Sequence, residues 1–414
     1  MFADWKELIG DQKSHRSAPS SSVVILTPAP LYLTSSKGDE AMLLSTIANI
    51  RGLYPGAEII AATASDLADT RATSLGIRPS RILEQWDLAS CARALASHAP
   101  AHVFVIGADV MDGGYNPSFS LRLIALGDLA RRMGARVTFL GFSFKKTPYA
   151  RLGAAFDLVH KDVEFFLRDP ASYERFSRNN NATGRLSADI AFLIEGTDSE
   201  QTRDYIDWIG AHRSAGRRVI GVNIHHSLLT PDRRDETERL VSAFARMLDQ
   251  IRSSRPVAFL LLKHDFGEVN GDHHCLGPLY KQLEDASGSV RLQGDELSAR
   301  EIKRLVKELD GVISARMHLA IASLGSGTPV FGLNYQDKME GLFSHFQLGE
   351  EVYAGVDAVL DMSVQGKMLR FVEDAPVLRE KVTSRLEHVQ ALSRSNFEPP
   401  IGRPDALPVL SSVG

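Results

Sequence analysis

The sequence predicts an α/β protein made of two Rossmann-like units, each a parallel sheet under helices, facing one another across a cleft. Three observations carry that prediction. Short, almost wholly apolar runs such as SVVIL, HVFVIG and VAFLLL alternate with amphipathic stretches, as buried parallel strands alternate with the helices that cover them. The alternation pauses in a more polar segment, Glu195 to Gly216, and then restarts. The chain has 414 residues, enough for two domains with cores of their own.

Taken in order, residues 1–21 read as a polar, mobile leader ending in SAPSSS. SVVILTPAP is a buried strand. GDEAMLLSTIANIRGLYPG is a helix with apolar positions at Leu43, Leu44, Ile47 and Ile50, closed by Gly52 and Pro55. AEIIAATA and AHVFVIGAD are strands, FSLRLIALGDLARRMG is a helix, and RVTFLGFSF is the next strand. The NNNATG cluster marks a surface loop. These elements place a first domain over 22–205. RRVIGVNI opens a second domain over 206–346, in which ETERLVSAFARMLDQIRSS is a clean amphipathic helix and PVAFLLLKHD a strand. Residues 347–397 read as helices, the last packing back across both domains, and 398–414 as a frayed tail.

Composition excludes several classes. With 44% hydrophobic and 24% charged residues the chain is an ordinary globular protein. A formal net charge of −4 gives no footprint for nucleic acid or a bulk anionic membrane. Two cysteines, Cys91 and Cys275, make no disulfide framework and fit a reducing cytoplasm. The N-terminal stretch has no apolar core behind basic residues, and no run approaches the ~20 apolar residues that span a bilayer. The expected location is the cytoplasm, with the inner membrane face open to it through a lipid-linked substrate.

The chemistry concentrates at predicted strand exits. In SARMHLAIASLGSGTPVFGLNY, Gly311–Ser314 is a strand and Leu319–Leu324 a short helix, so Arg316 and His318 fall at the carboxyl edge of a sheet. Residues two apart in an extended segment point the same way, so the two converge there while Met317 turns inward. An Arg fork suits a carboxylate or phosphate, and a His beside it donates a proton near neutral pH. The bland alternative is an Arg on a structural carboxylate and a capped His. In GDEA, Gly38, Asp39 and Glu40 precede a helix: Asp39 is a good N-cap, or places its carboxylate in the cleft near an acceptor. NIHHSLL sets His225 and His226 at another strand exit facing the cleft. LLLKHDFGEVNGDHHC packs His264, Asp272, His273, His274 and Cys275 together, but at no standard zinc spacing, so no metal is expected.

Several of these stretches together resemble the polysaccharide pyruvyl transferase family. ISARMHLAIASLGSGTPVFGLNYQDKMEGLF is similar to its C-terminal signature, an Arg-x-His after a strand and then Tyr335 and Lys338. SSKGDEAMLL is similar to its opening, and HVFVIGADVMDGG to its Gly-rich strand exit, here reduced to Gly107 and Ala108. FFLRDPASYERF with LSADIAFLI resembles its Arg-Asp-x-x-Ser and later Asp element, and His264 with Asp272 its His…Asp pair. The resemblance covers roughly residues 23 to 346. It implies a GT-B-like fold and transfer of pyruvate from phosphoenolpyruvate to two sugar hydroxyls, giving a cyclic ketal. It implies phosphoenolpyruvate binding by Arg168, Arg316, His318 and Lys338, with His318 and Arg316 catalytic. Gly38, Asp39, Asp112, His225, His264 and Asp272 are then expected around a lipid-linked or nucleotide-linked acceptor, with the first domain as the acceptor side and the second as the phosphoenolpyruvate side. No cofactor is required beyond the donor itself.

The chemistry is consistent with those residue types. A small dense anion needs fixed cations and helix-end N–H groups, and ketal formation needs an acid at the enol carbon and a base at the hydroxyls. Two rivals stay open. A sugar-nucleotide glycosyltransferase of the same fold would carry a Glu at the donor helix, yet no acidic residue lies between His318 and Pro329. A non-catalytic binder or scaffold for a glycan pathway is kept open by the reduced glycine content of VIGADV and by the N-terminal leader.

Overall fold

The computed structural model describes residues 1–11, 21–34, 36–269, 271–284, 287–334 and 338–398. The first half runs α1 (Phe2–Asp11), β1 (Ser22–Leu26), α2 (Lys37–Leu53), β2 (Glu58–Ala62), α3 (Asp66–Ser74), β3 (Arg78–Ser80) and α4 (Leu88–Ala96). It continues with β4 (His102–Ile106), α5 (Pro117–Arg132), β5 (Arg136–Phe142), α6 (Leu152–Leu158), β6 (Glu164–Leu167), α7 (Pro170–Asn179) and β7 (Gly184–Leu186). A 3-10 turn at Ile190–Leu193 and α8 (Glu200–Ser214) lead to the second half. There follow β8 (Arg218–Asn223), α9 (Thr237–Ser254), β9 (Val257–Leu261), α10 (His273–Leu283), β10 (Val290–Leu292), α11 (Ala299–Val306) and β11 (Gly311–Ser314). The chain closes with α12 (Met317–Leu324), β12 (Val330–Asn334), α13 (Lys338–Ser344), β13 (Tyr353–Gly355), α14 (Val356–Leu360) and α15 (Gln365–Arg394).

Each half folds around one parallel sheet, as the continuous apolar runs require. The first has the order β3-β2-β1-β4-β5-β6-β7 and the second β10-β9-β8-β11-β12-β13. In both, the order reverses beside the first strand, between β1 and β4 and between β8 and β11, which opens a crevice at the carboxyl ends. All five residues of β1 are buried. Val23 and Ile25 face one core while Val24 and Leu26 face another, the alternation of a strand covered on both sides. The core that takes Val23 runs on through Ile190 and Phe192 into the second sheet, so the halves share apolar packing.

Helix α15 packs back as expected. Its Val382 and Val389 are buried, and just past it Asn396 accepts from Gly141 N at 2.7 Å and donates to Ala188 O at 3.0 Å. Phe397 then packs on Phe104, centroids 5.8 Å apart.

Two expectations are corrected. Residues 2–11 are not part of a polar mobile leader but a helix, because Trp5 is buried against the first unit and its indole N–H donates to Asp128 at 2.8 Å. The stretch after residue 347 is not helical throughout: Tyr353–Gly355 adds an edge strand to the second sheet, paired with β12 from Gly332 to Asn334. The tail beyond Glu398 lies outside the described residues.

Candidate active site

Helix α12 begins at Met317, two residues earlier than the sequence suggests, so Arg316 is its N-cap and His318 lies inside its first turn. The two side chains therefore do not converge as neighbours in an extended segment. Each turns to its own carboxylate.

His318 faces the first half. Its Nε2 stands 3.7 Å from Asp189 Oδ2 and, though buried, has no hydrogen-bond partner among the described residues. Gly38, in the first turn of α2, lies against the ring, where a Cβ would come within 2.3 Å of Nδ1. Asp189 is held by Ala191 N at 2.9 Å and receives Arg168 Nη1 at 3.0 Å. Arg168 is buried, donates from Nη2 to Ser143 Oγ at 2.9 Å and to Met317 Sδ at 3.3 Å, and keeps a buried Nε without a partner among the described residues. Burial holds the His318 imidazole below its ordinary value; Asp189 opposes that effect, Arg168 adds to it, and Asp39 and Asp109 oppose it further. The result is a histidine, an aspartate and an arginine drawn from three segments, with two buried nitrogens that have no partner among the described residues.

Arg316 faces the second half. Its Nε and Nη2 meet Asp272 Oδ1 at 2.8 and 2.7 Å, and Nη2 also lies 3.2 Å from Asp265. Asp272 is fully buried, and its other oxygen accepts from Asn223 Nδ2 at 2.8 Å, His264 N at 2.7 Å and Asp265 N at 3.1 Å. Both oxygens are thus engaged by the protein, which corrects the expectation of a substrate contact: Asp272 pins Arg316 and the loop after β9.

His225 is corrected in the same way. It is fully buried, accepting from Ser227 N and meeting Ala315 O at 3.2 Å, so it supports the backbone just before Arg316. Burial, then the nearby Arg316 charge, holds it well below an ordinary imidazole value. His264 is buried and kept neutral by burial together with His318, Arg316 and Lys37, and its carbonyl accepts from Lys37 N at 3.3 Å.

Helix α2 starts at Lys37, so Asp39 is not the N-cap foreseen: Ser36 is, and Asp39, in the first turn, completes a capping box with it while its charge also reaches His318. Glu40 goes further: its Oε1 accepts from Ala299 N at 3.0 Å, so α2 caps α11 across the cleft. Lys338 opens α13, but its side chain, like all of Tyr335, lies outside the described residues. In the His273–His274–Cys275 run, His274 meets Glu268 O at 2.7 Å. Burial, then Asp272, pushes the buried Cys275 thiol up to about 12. That keeps the sulfur protonated.

Beside the His318 cluster, at the carboxyl ends of β4, β5 and β6, opens a cavity of about 420 Å³. Asp109, Asp112, Ser143, Lys145, Lys146 and Arg175 line it. Ser143 joins it to Arg168, and Asp109 joins it electrostatically to His318. The sequence reading found Asp112 but missed Asp109, Lys145, Lys146 and Arg175. The Lys-Lys pair after RVTFLGFSF was a visible signal, since it follows a strand exit just as Arg316 does. Asp189 sat in a quoted motif, yet nothing in its spacing revealed that a 3-10 turn would aim it at His318.

Two parallel α/β units with a histidine-bearing cleft between them define a GT-B-like protein. Among solved structures, a UDP-N-acetylglucosamine 2-epimerase from Neisseria meningitidis bound to UDP-GlcNAc is similar with a TM-score of 0.54 at 10% identity, covering 91% of this chain and 97% of that one. A Burkholderia vietnamiensis α,α-trehalose-phosphate synthase (UDP-forming) reaches 0.50 at 10% identity over 92% and 96%. At such identities these likenesses speak for the fold alone. Residues 37–337 match the polysaccharide pyruvyl transferase family, and the chain belongs to that family. The amylovoran biosynthesis protein AmsJ of Erwinia amylovora is 23% identical over 236 residues, 53% of this chain and 56% of that protein, so the match spans little more than half of the relative's length.

Proposed function

We propose that the protein transfers the pyruvyl group of phosphoenolpyruvate to two hydroxyls of one sugar, forming a cyclic ketal during exopolysaccharide synthesis. The observation that carries the reading is the His318–Asp189–Arg168 cluster, with its buried and unmet Nε2 and Nε, beside a cavity lined by three cations. Family membership and the likeness to an amylovoran biosynthesis protein support it.

In this reading Lys145, Lys146 and Arg175 hold the phosphate and carboxylate, and Arg168 backs them through Ser143. His318, once protonated, gives its proton to C3 of the enol, and Asp189 stabilises the imidazolium before transfer. One sugar oxygen bonds to C2, the C2–O bond to phosphate breaks, and a second sugar oxygen closes the ring. One hydroxyl proton restores His318 and the other leaves with phosphate; Asp109 and Asp112 are the carboxylates that receive them. Arg316, already paired with two carboxylates, orients the start of α12 and is a weaker anion grip than its sequence position suggested. No described helix is long and apolar enough to cross a membrane. We place the reaction in the cytoplasm, at the inner membrane face where the acceptor is lipid-linked.

The test is purified protein with phosphoenolpyruvate and the host's glycan precursors, following phosphate release and the pyruvylated product by mass spectrometry. His318→Gln is expected to keep the thermal stabilisation by phosphoenolpyruvate and lose turnover. Wild-type protein that neither is stabilised by phosphoenolpyruvate nor releases phosphate would overturn the reading.

A further inference from the structure

A second cavity, of about 350 Å³, lies on the far side of Tyr115 from the first and shares that residue as a wall. It sits at the exits of β1, β2 and β4, and the site described above does not use it. Its lining includes Tyr32, Glu84, Trp86, Tyr115, Phe119 and Arg122. Three of these rings are unusually open: Tyr32 is 51%, Trp86 64% and Tyr115 60% exposed. Two of them, Tyr115 and Trp86, are nonetheless fixed from behind. The Tyr115 hydroxyl donates to Asp109 at 3.0 Å, and the Trp86 ring lies over the Arg122 guanidinium, 4.2 Å from Cζ to centroid.

Arg122 is the telling residue. It projects from α5 and is only 3% exposed, and among the described residues its Nε has no hydrogen-bond partner and no carboxylate lies within ion-pair distance, Asp87 acting on it only from farther away. A buried guanidinium with neither an ion pair nor a full set of acceptors is costly unless a ligand meets it. The occupant must therefore offer apolar faces to aromatic rings and a negative group to one cation. A hydrocarbon chain satisfies the rings alone. A neutral sugar stacks its C–H faces but leaves the cation unmet.

We propose that this cavity binds an acidic sugar, a hexuronic acid residue of the acceptor glycan, with its ring on Trp86 and Tyr115 and its carboxylate on Arg122. The shared Tyr115 wall then sets the neighbouring sugar toward the 420 Å³ cavity, so the subsite chooses which residue of the glycan is modified. This rests on the proposed glycan acceptor, but binding can be read without the donor, so failure of the pyruvyl reaction does not decide it.

The experiment titrates the full-length protein, without phosphoenolpyruvate, with a glucuronic acid-containing disaccharide, its neutral counterpart, and UDP. Tryptophan fluorescence and calorimetry report binding. The acidic disaccharide is expected to bind at least about tenfold more tightly than the neutral one, as a charge-assisted contact implies, and to quench Trp86. Trp86→Ala, at an exposed position, is expected to remove the quench. Arg122→Gln is expected to bring the two sugars to equal affinity, and Arg122→Lys to keep part of the preference. Equal affinity in the wild type, tighter binding of UDP, a quench that survives Trp86→Ala, or no binding of any of the three would each overturn the proposal.

Discussion

Gly38 and His318 touch across the cleft: a Cβ at Gly38 would stand 2.3 Å from the imidazole Nδ1 and 2.4 Å from Cγ. The glycine of GDEA is therefore not there for a turn. It lets the first turns of α2 and α12 meet, and the ring that results faces Asp189. Gly38→Ala must push the ring away. We expect turnover to fall by about 100-fold, the scale of a misplacement near 1 Å, with the far-UV circular dichroism unchanged. Normal turnover in a folded Gly38→Ala protein would remove His318 from the chemistry.

The pH dependence has a definite sign. Burial keeps His318 below its ordinary value of 6.5, so the ring is largely neutral at pH 7, while a proton donor must be charged. Activity should rise as pH falls toward the folded-state value, below 6.5. Asp189→Asn removes a charge that raises that value, so the rising limb should shift to lower pH and the rate at neutral pH should drop. Superimposable pH profiles for the two proteins would show that Asp189 does not tune the acid.

How much of this was legible beforehand differs by element. The sheets were, because strands covered on both faces must be continuously apolar, and SVVIL and HVFVI are. The position of Arg316 and His318 at a strand exit was also legible. Their directions were not: whether Met317 begins a helix or extends a strand turns on two residues, and that choice sends His318 to Asp189 and Arg316 to Asp272. Helix α1 was missed for a related reason. One buried tryptophan anchors it to Asp128, 123 positions away, and no local pattern announces such a contact.

Asp272→Asn tests the second cluster. Breaking the buried pair takes the Asp272 carboxylate away from Arg316, and a loss of about 3 kcal/mol in unfolding free energy is expected. Arg316→Met added to that background should recover part of the loss, because the cation that lost its buried carboxylate is gone. Simply additive losses in urea denaturation would mean that the two residues do not support each other.

Three buried histidines predict an acid-sensitive fold. His102, His225 and His264 all lie well below the ordinary 6.5, with burial the leading cause. Below pH 6.5 the unfolded chain binds protons that the folded chain refuses, so stability falls as pH drops. The slope approaches about 1.4 kcal/mol per pH unit for each histidine. Carboxylates titrate lower, and His98, His160, His212, His318 and His345, also held below 6.5 chiefly by burial, add to the same fall between pH 7.5 and 5.5. Urea midpoints should drop across it. His102→Gln, whose amide can still bridge Tyr54 and Thr138, should lower the slope by about one proton's worth. Equal midpoints at both pH values would contradict the neutral assignment.

Ala108 is where the family resemblance led to a glycine, and the backbone there has φ of +47°, the left-handed region that a Cβ disfavours. The conformation is retained because it carries the Ala108 carbonyl to Ser143 N at 2.9 Å, and Ser143 links Arg168 to the polar cavity. Gly107 does not take the left-handed bend; it is a glycine for space, since a Cβ there would lie 2.6 Å from Phe142 Cβ. The strain therefore falls on the alanine. Ala108→Gly should relieve it and raise the unfolding free energy by about 1 kcal/mol, although a buried Ala→Gly change ordinarily destabilises. Turnover should be unchanged, because the Ser143 contact is made by the backbone. A stability loss in Ala108→Gly would show that the left-handed turn carries no strain and that the alanine's methyl contacts dominate there.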